Sequence, residues 1–265
     1  MPDIGLHAAA TRRDAEQRME SMSFLAHLEE LRRRIIWSVL WIAAGFGVCW
    51  WFHEKIFALM QQPILFALHQ NGIDQKLAYL NPTEPFNMYL KVSLIAGIFV
   101  ACPFVLYQVW AFISPGLYRH EKKYVFPFML FTPGLFLAGG YFGYKVVYPN
   151  ALNFLVDFGK QFQPMITVTE YTDLFLVIVL GLGIIFEMPI LAFFLSLMGV
   201  ISAGWMWKNL RYAILAIFII AAVITPTSDI MNMCVFAAPM IALYLVSIVV
   251  AWMVNPKRRK AKAKA

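Results

Sequence analysis

Polar positions in this chain are confined to short clusters between long apolar runs. Six runs stand out, over residues 35–52, 86–107, 124–147, 174–197, 212–224 and 230–254. A helix that crosses a bilayer needs about 20 mainly apolar residues, so the pattern predicts an all-α integral membrane protein with six transmembrane helices. The fifth run has only 13 residues. At 1.5 Å each these reach about 20 Å, against a hydrocarbon core of about 30 Å. Either Trp205 and Trp207 extend that span, with Lys208 and Arg211 snorkelling, or the bilayer thins around it. Pro103, Pro127, Pro133, Pro189 and Pro239 fall inside the runs. Each removes a backbone hydrogen bond and tends to bend its helix, which predicts a concave bundle of several proline-kinked helices.

The flanks complete a three-part organisation. Residues 1–22 are mixed in charge and poor in aromatics, and a disordered arm is expected. A helix is expected from about Ser23, where Phe24, Leu25, Leu28 and Leu31 form a stripe suited to a membrane surface. Residues 23–254 make up the membrane domain and 255–265 a basic tail. Between the first two runs, Ile56, Phe57 and Met60 give helical spacing over 54–62. Pro63 and a turn-like polar stretch over 70–75 follow. Asn81-Pro82-Thr83-Glu84-Pro85 then closes one element and opens the next, since the residue before a proline resists helix. The first run continues into Phe52-His53-Glu54 with no small-residue cleavage site, unlike a secretory signal peptide. The two halves of the chain show no hydropathy symmetry of the inverted-repeat kind.

Composition agrees with this class: 61% of residues are hydrophobic and 14% charged, where about a quarter charged is usual for soluble domains. The net charge of +7 is distributed asymmetrically. Of 22 Lys and Arg, 17 fall in the N-terminal arm, the 107–123 and 198–211 loops and the tail. The positive-inside rule assigns these segments, and both termini, to the cytoplasm. The tail run Lys257-Arg258-Arg259-Lys260 then reads as a lipid-contacting flank and not as a nucleic-acid site. Cys49, Cys102 and Cys234 lack metal-ligand spacing and are expected to be small buried hydrophobes. No H-E-x-x-H, G-x-S-x-G or P-loop pattern occurs, so neither a hydrolase nor a cofactor is indicated.

Candidate chemistry therefore rests on few residues. Glu187 is the one charged residue well inside a run. An acid near the midplane costs roughly 2.5–3.5 kcal/mol on insertion scales and normally serves function. Pro189 frees the carbonyl of Ile185 in the same turn. From these residues alone, a proton-coupled secondary transporter using Glu187 is one reading. The other candidates are the clusters His27-Leu28-Glu29-Glu30-Leu31-Arg32-Arg33-Arg34 and Tyr118-Arg119-His120-Glu121-Lys122-Lys123. Glu29 with Arg33, and Glu30 with Arg34, have the i,i+4 spacing of helical ion pairs. Such exposed pairs are weak, so an incoming cation displaces them easily. A carboxylate takes an arginine in a two-pronged contact that lysine cannot copy. Glu30 and Glu121 are thus candidate readers of two arginines; the bland alternative is ordinary helix-flank charge.

Four motifs occur in order: His27-Leu28-Glu29-Glu30-Leu31-Arg32; Tyr107-Gln108-Val109-Trp110-Ala111-Phe112-Ile113-Ser114-Pro115-Gly116-Leu117-Tyr118-Arg119-His120-Glu121; Phe186-Glu187-Met188-Pro189; and Thr225-Pro226-Thr227-Ser228-Asp229. Over residues 22–254 the chain resembles the TatC family, the six-span core of the twin-arginine protein translocase. The resemblance implies a receptor in the bacterial cytoplasmic (inner) membrane, not an enzyme and without cofactor. It would bind the twin-arginine signal peptides of folded precursors and self-associate in a complex. Single-span partners of the TatA and TatB type would complete that complex, with transport driven by the protonmotive force. By the same resemblance Glu30 and Glu121 receive the signal arginines, while Arg32, Arg34, Phe112, Tyr118 and Arg119 shape the site. Glu29 falls at a variable position of the motif. Pro63 matches the family's first-loop proline, Glu187 its membrane-embedded acid and Asp229 its last-loop acid. The family's Thr-Pro-Pro-Asp is one residue longer here.

Overall fold

The computed structural model describes residues 24–70, 77–113, 122–159, 161–162, 165–224 and 230–254. These are helical almost throughout. In chain order they form α1 (Phe24–Trp51), α2 (His53–Met60), α3 (Gln62–Gln70), α4 (Glu84–Ile113) and α5 (Lys122–Phe142). A π turn (Gly143–Val147) leads into α6 (Tyr148–Phe158), followed by α7 (Val168–Ile185), α8 (Met188–Leu197), α9 (Ala203–Lys208), α10 (Leu210–Ile224) and α11 (Ile230–Val254). Among the described residues, four stretches are both long and apolar enough to cross a membrane: Ala26–Trp51, Glu84–Phe112, Val168–Leu197 and Met233–Met253. The third run (α5) and the short fifth run (α10) supply the other two spans.

The first two spans form a tight antiparallel pair, because glycines meet at their crossing. A Cβ on Gly45 would lie 2.5 Å from the carbonyl oxygen of Gly97, and one on Gly97 would lie 2.6 Å from the backbone nitrogen of Phe46. Only residues without side chains let helix backbones approach this closely. Along the same seam Trp41 stacks on Phe104 with ring centroids 4.1 Å apart. A similar approach joins α5 to α7, where a Cβ on Gly139 would come within 2.6 Å of the Leu182 carbonyl oxygen.

The helices α2, α3 and α6 cover one end of the bundle, and tyrosines tie them down. Pro63 has no N–H for the carbonyl four residues earlier, that of Leu59. The Tyr144 hydroxyl donates to that carbonyl at 2.8 Å. The neighbouring Met60 carbonyl accepts from the Tyr171 hydroxyl at 2.5 Å. Orphan carbonyls at the end of α2 are thus satisfied from α7 and the π turn. Residues Ala78 and Thr167 form an isolated parallel bridge, with Ala78 N–H donating to Ile166 at 2.9 Å and Val168 N–H to Ala78 at 2.8 Å.

Several boundaries differ from the sequence expectation. The helix of the third run does not end at residue 147: α5 passes through the π turn into α6, where Tyr148 is fully buried. Lys145 lies on the π turn, and Pro149 follows it at the start of α6. Just before the fifth span, the short helix α9 carries Trp205 and Trp207, both exposed, and is separated from α10 only by Asn209. Helix is interrupted at Pro189, whereas α4 and α11 continue through Pro103 and Pro239. Cys49 and Cys102 are buried, but Cys234 is exposed on α11, so it faces the surroundings and not a helix neighbour.

Candidate functional site

Close to the start of α1 the carboxylate of Glu30 accepts two guanidinium contacts. Arg33 Nη2 donates to Oε2 at 2.9 Å and Arg34 Nε to Oε1 at 2.7 Å. The pairing of Glu29 with Arg33 expected from their spacing does not form. An i,i+3 reach is equally available on a helix, and Arg33 turns to Glu30, the less exposed acid. Arg34 also crosses to the second span, its Nη1 donating to Gln108 Oε1 at 2.9 Å. Gln108 is buried, so this bond fixes the Glu30–Arg34 pair against α4. One turn further along each helix, His27 stacks on Phe112 with ring centroids 4.5 Å apart. Arg32 is exposed beside the cluster.

This geometry joins the first motif to the start of the long second motif. Trp110, from the same motif, is core: it packs on Phe194 at 4.2 Å within a cluster of Ile190, Phe193 and Leu197. Gln108 and His27 were missed as site residues by sequence reasoning. The signal was present in the alternation of Gln108, Trp110 and Phe112 along one helix. Which of them faces α1 emerges only from the Gly45–Gly97 register. Tyr118, Arg119 and Glu121 lie outside the described residues, as does Asp229.

Glu187 occupies the break between α7 and α8. The chain leaves α7 at Phe186, and the Glu187 carbonyl accepts from Ile190 N–H at 3.1 Å and Leu191 N–H at 2.9 Å. Both carboxyl oxygens are buried with no hydrogen-bond partner, and burying a polar group unpaired is costly. On α4, the Cys102 thiol faces the Pro133 carbonyl of α5 at 3.9 Å. Pro63 stands apart from both sites, at the start of α3, and Lys91 pairs with Asp173 across α4 and α7 at 2.5 Å. Among the described residues no cluster could hold a metal ion.

Residues 26–239 match the family model described as Sec-independent protein translocase protein (TatC). This chain belongs to the TatC family. A protein of that description from Koribacter versatilis (strain Ellin345) is 66% identical over 265 residues, spanning 100% of this chain and 98% of the relative. One from Helicobacter pylori (strain J99 / ATCC 700824) is 38% identical over 231 residues, 87% of this chain and 89% of its own length. A crystal structure described as the twin-arginine translocase receptor TatC superposes with a TM-score of 0.75 at 36% identity, covering 85% of this chain and 97% of the other. A second, in DDM, gives 0.77 at the same identity, covering 85% and 99%. The chain is therefore a six-span membrane component of a protein translocase, with a receptor fold and no enzymatic role.

Proposed function

We propose that this protein is the signal-peptide receptor of a twin-arginine translocase in the bacterial inner membrane. Both its termini are cytoplasmic. Glu30 and Glu121 each take one signal arginine; Arg32, Arg34, Tyr118 and Arg119 hold the surrounding charge, and Phe112 meets the apolar part of the peptide. The observation that carries this reading is the double guanidinium contact at Glu30. That carboxylate has the geometry for arginine, and its present partners come from its own helix and are partly exposed. An incoming arginine replaces like with like, so the exchange leaves no buried charge behind. Glu187, with Asp229 and Pro63, serves assembly with TatA- and TatB-type single-span partners and protonmotive-force-driven transport. A buried, unpaired carboxyl in an interrupted helix suits a polar group on a neighbouring helix.

The test is affinity for a twin-arginine peptide. Glu30→Ala and Glu121→Ala are each expected to weaken binding about tenfold or more, the effect of roughly 1.4 kcal/mol. Glu29→Ala is expected to change it little. A twin-lysine peptide binds poorly to the wild type, because an ammonium lacks the guanidinium fork. If the Glu30 and Glu121 variants bind as tightly as Glu29→Ala, the two-carboxylate reading fails.

A further inference from the structure

At the far end of the bundle from Glu30, two cavities meet at one side chain. The first is an apolar groove of about 390 Å³ whose walls include Val92, Ala96, Phe99, Val100 and Tyr141. The second, of about 740 Å³, lies between α3 and the π turn and is lined by residues that include Pro63, Phe66, His69 and Lys145. Tyr144 lines both. Its hydroxyl is tied to the Leu59 carbonyl, so it stands as a fixed post where the apolar groove gives way to the basic cavity.

The two halves differ in chemistry in a way that matches one class of molecule. The groove is walled by hydrocarbon and aromatic faces. One turn of helix, about 10 Å across and 5.4 Å tall, would occupy roughly 400 Å³, close to the groove's own volume, so size admits a helical turn or an acyl chain alike and the charge beside the groove selects between them. The cavity next to it presents an ammonium and an imidazole, and no carboxylate is among its lining residues. Lys145 is exposed on the π turn, its Nζ 5.2 Å from the Tyr144 ring centroid. The wide turn re-aims side chains relative to an α-helix and leaves this lysine beside the groove. Basic pockets between membrane helices on the cytoplasmic side take lipid head groups, and the same attraction of an ammonium for a phosphate is available at this opposite face.

We propose that these paired cavities bind an anionic glycerophospholipid of the leaflet opposite the Glu30 end. One acyl chain lies in the groove past Phe99 and Val100, and the phosphate is held between Lys145 and His69. This site is separate from the signal-peptide site and stands whether or not that reading holds.

The experiment uses the full chain in mild detergent, with bound lipid read by native mass spectrometry. The probes are dioleoylphosphatidylglycerol, dioleoylphosphatidylcholine and soluble glycerol phosphate. Phosphatidylglycerol is expected to be retained about fivefold or more over phosphatidylcholine, the weight of one juxtamembrane cation. The Lys145→Gln/His69→Gln double variant brings the two lipids to parity. Val100→Trp, at a position already 55% exposed and so tolerant of bulk, lowers retention of both. Soluble glycerol phosphate displaces neither. Equal retention of the two lipids by the wild type would overturn the proposal, as would an unchanged preference in the double variant. Displacement by glycerol phosphate alone would mark a free phosphate site instead. A photocrosslinker at Val100 that captures protein and no lipid would assign the groove to a partner.

Discussion

Replacing Gly97 by alanine is expected to weaken the receptor site from a distance. The added methyl would sit 2.6 Å from the Phe46 nitrogen, 2.8 Å from its Cα and 2.9 Å from the Gly45 carbonyl carbon. All three are backbone atoms of α1, so no side chain can rotate aside. Ordinary contact begins near 3.4 Å, and α1 and α4 must part by about 0.8 Å. Overpacking of this kind typically costs roughly 1–3 kcal/mol. For a chain of this size that is a fall of several degrees in unfolding midpoint, at about 2–4 °C per kcal/mol. Carried along the seam, the same movement stretches the Arg34–Gln108 bond from 2.9 Å to a length at which it no longer counts as a hydrogen bond. Gln108 lies 11 residues along α4 from Gly97, about 16 Å away. Gly47 is the control: on the same helix as Gly45, it has nothing within 4 Å of a built Cβ. Thermal unfolding in detergent and twin-arginine peptide affinity should both fall for Gly97→Ala and neither for Gly47→Ala. If the two variants behave alike, close backbone approach does not hold this pair together.

Two further outcomes are expected. Glu187→Gln keeps shape and hydrogen-bonding capacity, whereas Glu187→Ala loses both. Transport and crosslinking to single-span partners should suffer more from alanine, with peptide binding retained in each; full transport by both variants would leave the acid a purely structural element. Cysteines introduced at Ala8 and Ala261 should react with an impermeant reagent only from the cytoplasm, and one at Gln161 only from the other side. Labelling of positions 8 and 161 from the same side is incompatible with the proposed orientation.

Much of the architecture is legible because a bilayer turns composition into geometry: an apolar run of sufficient length has to be a helix. The run over 230–254 coincides with α11. What escapes is structure set by partners far away in sequence. Nothing local marks Tyr148 as a fully buried residue, since that burial comes from α3 and α7 closing over α6. The break after Met60 is visible at Pro63, but the tyrosines that satisfy its loose carbonyls are about 80 and 110 residues distant. At the site, the residue types were readable and the pairing was not. Spacing allows Arg33 two acids, and the structure gives it Glu30. Gln108 reads as a polar position in the 107–123 loop, until the helix that continues through it to Ile113 and the glycine crossing set it opposite Arg34.

That glutamine bears on how the receptor trades one guanidinium for another. Arg34 is shared: Nε binds Glu30 while Nη1 binds Gln108. On the proposed reading, a signal arginine that takes Glu30 deprives Arg34 of its carboxylate but leaves it a buried acceptor on α4, so its charge does not have to be left without a partner. Gln108→Leu preserves volume at this buried position and removes the acceptor. Arg34 then has Glu30 alone, and competes harder with the incoming arginine. A typical hydrogen bond contributes about 0.5–1.5 kcal/mol net, so twin-arginine peptide affinity is expected to fall roughly two- to tenfold. Removing Arg34 as well, in Gln108→Leu/Arg34→Ala, takes away the competitor and should restore part of that loss. The same recovery should be absent when Arg32, exposed and outside the pair, is the residue removed. Affinity measured across the three variants separates this exchange from simple damage to the helix pair. Damage to the packing would lower all three alike, and equal affinity for Gln108→Leu and wild type would show that Arg34 needs no second acceptor.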